Sequence, residues 1–324
     1  MLLDDQIRRN RWKSWALFAG FFVIYAAIAA AVSVAVAGWE LHSNLVVFAI
    51  FAAVAILVVT FTLFIGDDMA VAIGGGRRIN DRREAPELWD AVETMSLAAG
   101  IQTPRVFVSN DPSPNAFAAG RSQAQALVCA NRGLIERLDK EELEGVIAHE
   151  ISHVRNLDVR LMTYAAVLAG SIALLSEFVL RGAIFSGGGD DDSPAGAIGL
   201  IVVVLAAVLA PIAALIIQLA ISRRREFLAD ASAADLTRYP QGLASALRQI
   251  SSSQDRPTHD RNAIAHLYIV PPRLFKEKAA GLFSTHPPVS ERLARLDGLA
   301  GGQLHVHRPR ARTAATGELL GAAQ

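Results

Sequence analysis

The 324-residue chain is 52% hydrophobic and only 19% charged, too apolar for an ordinary soluble enzyme, in which about a quarter of residues are charged. Much of it is expected to lie in the lipid bilayer. Its 31 basic residues offset 31 acidic ones, so no nucleic acid is expected among its partners, and a single cysteine, Cys129, excludes a disulfide scaffold and a cysteine-built metal site.

A helix crossing the hydrocarbon needs about 20 largely apolar residues. Trp15 to Ala37 and Leu45 to Ile65 meet that length without a charge and are separated only by Gly38 to Asn44, which predicts a transmembrane hairpin over 1–65. Arg8, Arg9, Arg11 and Lys13 ahead of the first run, and Ala35-Val36-Ala37 at its end, mimic a cleaved leader. The run is longer than the roughly 7 to 15 apolar residues of such leaders, and a second follows at once.

The polar segment that comes next opens on Gly74-Gly75-Gly76, which lacks the Lys-Ser or Lys-Thr ending of a nucleotide loop and reads as a turn. Pro86 to Ala99 has helical apolar spacing at Leu88, Val92 and Met95, with proline in a first turn. Arg105 to Ser109, Asn115 to Ala119 and Ala126 to Ala130 read as short strands, the first two separated by the turn-rich 110–114. Asn115 to Ala119 is either an edge strand alone or one that also pairs with an extended substrate, the Asn115 side chain fixing its backbone. Asp139 with Glu142 three positions on is a capping box, and Leu143, Val146, Ile147, Ile151 and Val154 recur at helical spacing behind it.

On that helix stands His149-Glu150-Ile151-Ser152-His153. Imidazoles four residues apart leave one helical face and converge on a tetrahedral zinc at about 2.0 to 2.1 Å. Glu150, one step round, stays out of direct ligation but near a water that it can deprotonate, returning the proton to a leaving amine. If the helix continues beyond His153, the metal lies about 12 Å along its axis from Leu161, against the membrane face.

Leu161 to Leu180 and Ala197 to Ile221 are the third and fourth apolar runs, a second hairpin inserted over 161–221, either spanning or buried. Glu177 in the third lies near Arg181 and reads as interfacial. Basic residues flank the spans at the start, after the second run and at Arg223-Arg224-Arg225, whereas the loop with Asp190-Asp191-Asp192 is acidic. Both termini and the polar segments 66–160 and 222–299 are therefore expected in the cytoplasm, together forming one domain.

A catalytic zinc typically has three protein ligands. Cys129 is one candidate for the third, in apolar surroundings that equally suit core packing. Glu226 is the better one, because its charge partly neutralises the metal, although after three arginines it also reads as an interfacial ion pair. Asp230, four residues on, can orient a liganding histidine, as can Asp158 from its own side. His286 in a proline-flanked turn is the nominee for oxyanion donor, or else a loop histidine stacked on Pro287. From Ala300 to Gln324 the chain loses periodicity and reads as a flexible tail, leaving His305 and His307 solvated.

The sequence resembles the HtpX-type membrane zinc metalloproteases, related to the CAAX prenyl proteases, over nearly all of its length before the tail. The likeness rests on two N-terminal spans, Pro114-Asn115-Ala116-Phe117-Ala118, Arg132-Gly133-Leu134, Leu143 to His153 with Asn156 and Asp158, a hydrophobic hairpin, Glu226-Phe227 with Ala229-Asp230, and Thr285-His286-Pro287. Asn131 departs from the family, which more often has Thr there. The resemblance implies His149, His153 and Glu226 as ligands of one Zn2+ per chain, Glu150 as the catalytic glutamate, and membrane-protein quality control as the setting. The fold class expected is α+β and predominantly α-helical: a multi-pass membrane protein with four transmembrane helices and a zincin-like metalloprotease domain holding a small β-sheet. Its expected partners are membrane-protein or peptide substrates and the bilayer. A membrane adaptor with a structural zinc site is the alternative, and a transporter would need more polar groups facing one another in the spans.

Overall fold

A computed structural model describes residues 3–37, 41–186, 222–255, 267–270 and 287–304. The fourth apolar run, the Asp190 to Asp192 loop, His286 and the tail beyond Leu304 lie outside the described residues.

The chain opens with two long helices, α1 (Leu3–Ala37) and α2 (Leu41–Gly74). Helix α1 turns a stripe of Asn10, Ser14, Phe18, Phe21, Tyr25 and Ile28 inward, spaced three and four apart as a helical face requires. Phe18, Phe21, Tyr25 and Ile28 pack with Ala55 of α2 and with Leu161, Tyr164 and Leu168, which belong to α6 (Asp158–Ser186). This three-helix cluster packs α1 against α2 and α6. Helix α2 continues to Gly74, past Ile65 where the first hairpin was expected to end. Among the described residues one stretch, Ile7–Ala30, is long and apolar enough to cross a membrane, and Phe48–Phe61 is a shorter apolar one. The first of these starts earlier than Trp15 and ends before Ala37, the bounds expected from the sequence.

The fold is mostly helical with a small mixed sheet. Helix α3 (Pro86–Ala99) starts on its proline and stops at Gly100, whose φ of 66° is the left-handed conformation that glycine tolerates. Strands β1 (Gly76–Arg78), β2 (Arg105–Ser109), β3 (Ala116–Ala119) and β4 (Leu127–Asn131) form one sheet in the order β1-β2-β4-β3. The β2–β4 pair is parallel and the two outer pairs are antiparallel, so β3 is an edge. Both faces are covered, and the period-two alternation shows it. Val128 and Ala130 face the cluster that includes Leu88, Val146 and Ile147, while Leu127 and Cys129 face Phe107, Phe117, Met162 and Tyr268. Cys129 thus takes the packing role open to it.

A one-turn helix, α4 (Arg132–Ile135), leads to α5 (Lys140–Arg155), started by the Asp139–Glu142 capping box. Helix α5 does not continue into the third apolar run. Leu157 adopts φ 56°, breaking the axis, and α6 restarts at Asp158. Helices α7 (Arg223–Thr237), α8 (Pro240–Ser252) and α9 (Val289–Leu304) complete the described structure. Because Arg292, Leu296 and Ala300 continue one buried stripe, α9 carries the helix past Ala300, where a loose tail was expected.

Candidate metal centre

Helix α5 crosses beneath the sheet with His149, Glu150 and His153 directed into the interior, each no more than 4% exposed. Helix α7 brings Glu226 to them. The two ring Nε2 atoms are 3.3 Å apart, and the Glu226 oxygens lie 3.8 Å from His149 Nε2 and 3.6 Å from His153 Nε2. Ligands at about 2.0 to 2.1 Å from a tetrahedral ion stand about 3.3 to 3.4 Å apart. These three residues can therefore hold a metal ion, and Cys129 is not among them.

The far sides of both rings are fixed. His149 Nδ1 is 2.9 Å from Asp230 Oδ1, and His153 Nδ1 is 3.1 Å from Asp158 Oδ2. A carboxylate at Nδ1 holds the proton there and leaves the Nε2 lone pair for a metal. The aspartates are tied in turn. Arg292 donates from Nε and Nη2 to Asp230 at 2.9 and 2.7 Å, and from Nη1 to the Ile269 carbonyl at 2.9 Å. Asp158 Oδ1 accepts from Asn10 Nδ2 and from Arg225 Nε, both at 2.7 Å.

Four buried carboxylates, Glu150, Asp158, Glu226 and Asp230, surround the rings against two buried guanidinium groups, Arg225 and Arg292. The excess of negative charge matches a divalent cation. Without one, the site takes up protons. Burial pushes the Glu150 carboxyl up to about 8, with the Glu226 charge adding to it. For His153, burial acts downward but is outweighed by the Asp158 hydrogen bond and the Glu226 charge, which hold the ring at about 9. Burial takes His149 down to about 4, so that ring is neutral. Asp230, which burial alone would raise, is held at about 2 by the Arg292 charge and the His149 hydrogen bond.

The Ala118 backbone on β3 acts against burial, favouring the charged Glu150 carboxylate, which places the acid beside the sheet edge. Part of that edge is occupied by the chain itself. Ile269 N–H donates to the Ala116 carbonyl at 3.2 Å, and the Asn115 side-chain amide donates to the Val270 carbonyl at 2.7 Å. Tyr268 stacks edge-on against Phe117 with ring centroids 5.7 Å apart. Asn131 spans from Ser113 to Asn115, accepting nothing at its own Oδ1.

Sequence reasoning gathered His149, Glu150, His153, Glu226, Asp158 and Asp230, and the structure brings all six together. It missed Arg292, Asn10, Arg225 and the 267–270 segment. The signal for Arg292 was an arginine on the apolar stripe of α9, four residues before Leu296; Asn10 heads the inward stripe of α1 in the same way.

A His-Glu-x-x-His helix with a glutamate from a later helix in reach of both rings is the arrangement of a metallopeptidase. Residues 82–300 match Peptidase family M48. The chain is 43% identical over 302 residues to the protease HtpX homolog of Levilactobacillus brevis, covering 91% of this chain and 99% of that one. It is 41% identical to the homolog of Streptococcus gordonii, with 91% and 99% covered, and 40% identical to that of Listeria monocytogenes, with 92% and 100% covered. It is also similar to the crystal structure of S. mikatae Ste24p at 18% identity and a TM-score of 0.44, covering 77% of this chain and 58% of that one. The chain belongs to peptidase family M48 and is an HtpX-type, membrane-associated metalloprotease, not an adaptor or a transporter.

Proposed function

We propose that the protein is a membrane-embedded zinc endopeptidase that cuts misfolded membrane proteins at the cytoplasmic surface, in the service of quality control. His149, His153 and Glu226 hold one zinc ion, and Glu150 is the acid–base residue. The observation that carries this reading is the convergence of the two Nε2 atoms and the Glu226 carboxylate within 3.8 Å of one another, with Glu150 next to an edge strand.

Zinc held by His149, His153 and Glu226 would supply Lewis acidity, polarising the scissile carbonyl and acidifying the attacking water. Glu150 takes the proton of that water and passes it to the leaving amine. Asp230 and Asp158 keep the two rings in the tautomer that exposes Nε2. A peptide lies along β3 near Ala118, and Asn115 fixes the start of that edge by holding Val270. His286 is the nominee to stabilise the developing oxyanion. Four spans, with both termini and the polar segments cytoplasmic, set this site against the membrane; the charge of the flanking segments supports that topology.

The test compares wild type with Glu150→Gln in detergent, measuring zinc content and casein cleavage. The variant keeps its zinc and loses cleavage by about 100-fold or more. Cleavage by the variant at the wild-type rate would overturn the mechanism.

A further inference from the structure

Away from the metal centre, a pocket of about 340 Å³ opens between the first turns of α1 and the start of α7. Arg9, Lys13, Arg224, Arg225 and Arg295 line it, with Phe227 forming part of its apolar wall. The Arg295 guanidinium lies 3.7 Å from the centroid of the Phe227 ring. No carboxylate among the described residues lines the pocket. Arg225 is bound to Asp158 behind it. The other four cations, Arg9, Lys13, Arg224 and Arg295, share one concavity and repel one another unless an anion enters.

The position narrows the anion. Arg9 and Lys13 lie in the first turns of the stretch Ile7–Ala30, long enough to span a bilayer, and α7 begins directly after the fourth apolar run of the sequence. On the topology proposed above, on which this inference rests, both sit at the level of the cytoplasmic headgroups. Basic pockets between helices at that level receive anionic headgroups. The wall of Phe227 and Leu228 suits the glycerol and upper acyl carbons below a phosphate.

We infer that this pocket binds the phosphate of an anionic phospholipid, and that the bound lipid steadies the metal centre through Arg225. The path is short. Arg225 and Asn10, both pocket residues, each donate at 2.7 Å to Asp158 Oδ1. The other oxygen of Asp158 is 3.1 Å from His153 Nδ1. An anion that fixes the walls of the pocket fixes the carboxylate that orients His153.

The experiment uses the full chain, stripped of lipid in mild detergent and offered equal amounts of phosphatidylglycerol and phosphatidylcholine with matched acyl chains, with native mass spectrometry reading retention. Wild type prefers phosphatidylglycerol by about tenfold or more, and the double variant Arg9→Gln, Arg224→Gln brings the two lipids to parity. Arg9→Lys with Arg224→Lys keeps the preference, and Arg78→Gln with Arg83→Gln, the same charge lost elsewhere, leaves it unchanged. Equal retention of the two lipids by wild type overturns the site. Displacement of phosphatidylglycerol by inorganic phosphate at equal concentration assigns the pocket to the free ion and overturns the lipid. In bilayer discs, phosphatidylglycerol slows extraction of zinc by a chelator several-fold for wild type and not for the Gln double variant; identical rates overturn the link to the metal. Lipid retention does not read cleavage, so its failure leaves the Glu150→Gln result untouched, and the reverse holds.

Discussion

The rings of His149 and His153 turn Nε2 atoms toward each other at 3.3 Å, with the Glu226 carboxylate beside both. Two lone pairs at that separation need a cation between them, and a proton serves when a metal does not. With His153 raised to about 9 and Glu150 to about 8, both groups favour their protonated forms at pH 7, and a metal ion competes with those protons. Both groups are protonated below those values, so metal binding weakens as pH falls. Titration calorimetry in buffers of different ionisation enthalpy reads the protons directly; zinc binding with no proton release contradicts this account. At this scale the sequence was most legible. The spacing of the motif fixed the rings, and the charge of a zinc site singled out Glu226. Arg292 was hidden because its partners, Asp230 and the Ile269 carbonyl, are distant in sequence and share no periodic pattern with it.

Helix α5 reaches its position by close approach to α8. A methyl group built on Gly145 would stand 2.6 Å from the Leu243 backbone nitrogen, and one on Gly242 would stand 2.5 Å from the Glu141 carbonyl oxygen. Both contacts are with backbone, which cannot rotate away. Gly145→Ala therefore pushes the metal-bearing helix from its neighbour, with an expected loss of about 1 to 3 kcal/mol. A lowered apparent melting temperature in detergent checks it; an unchanged one shows that α8 yields freely. Capping residues and proline starts made α3 and α5 readable in sequence to within a residue. The break between α5 and α6 was not, because Leu157 at φ 56° bears a residue type that rarely adopts that conformation. Only the surrounding contacts impose it.

Across the whole molecule, the N-terminal helix is joined to the chemistry. Asn10 donates to the Asp158 carboxylate at 2.7 Å and to the Asn156 carbonyl at 3.0 Å, so α1 supports the group that orients His153. Removing such a partner typically costs about 10- to 100-fold in metal affinity. Asn10→Ala accordingly loses zinc to a chelator faster while inserting into membranes as before; equal zinc retention would mean that Arg225 alone suffices. Composition pointed to a membrane-associated protein and hydropathy to its first apolar helix, of which Ile7–Ala30 is long enough to span, but neither says which side of each helix faces inward. That depends on α1, α2 and α6 meeting around Phe21, Ala55 and Leu168, contacts between segments far apart in the chain.

The brevity of β3 also bears on selectivity. Ile269 already occupies the Ala116 carbonyl, and the Glu150 carboxyl stands beside Ala118, leaving an incoming polypeptide few rungs to hold. Such a grip is feeble and indifferent to side chains. Confinement supplies what the rungs do not: a polypeptide tethered in the same leaflet meets the edge at an effective concentration of about a millimolar, whereas one diffusing in water does not. On the proposed function, a four-residue strand would make the point of anchorage, more than the amino acids at the cut, the property by which victims are chosen.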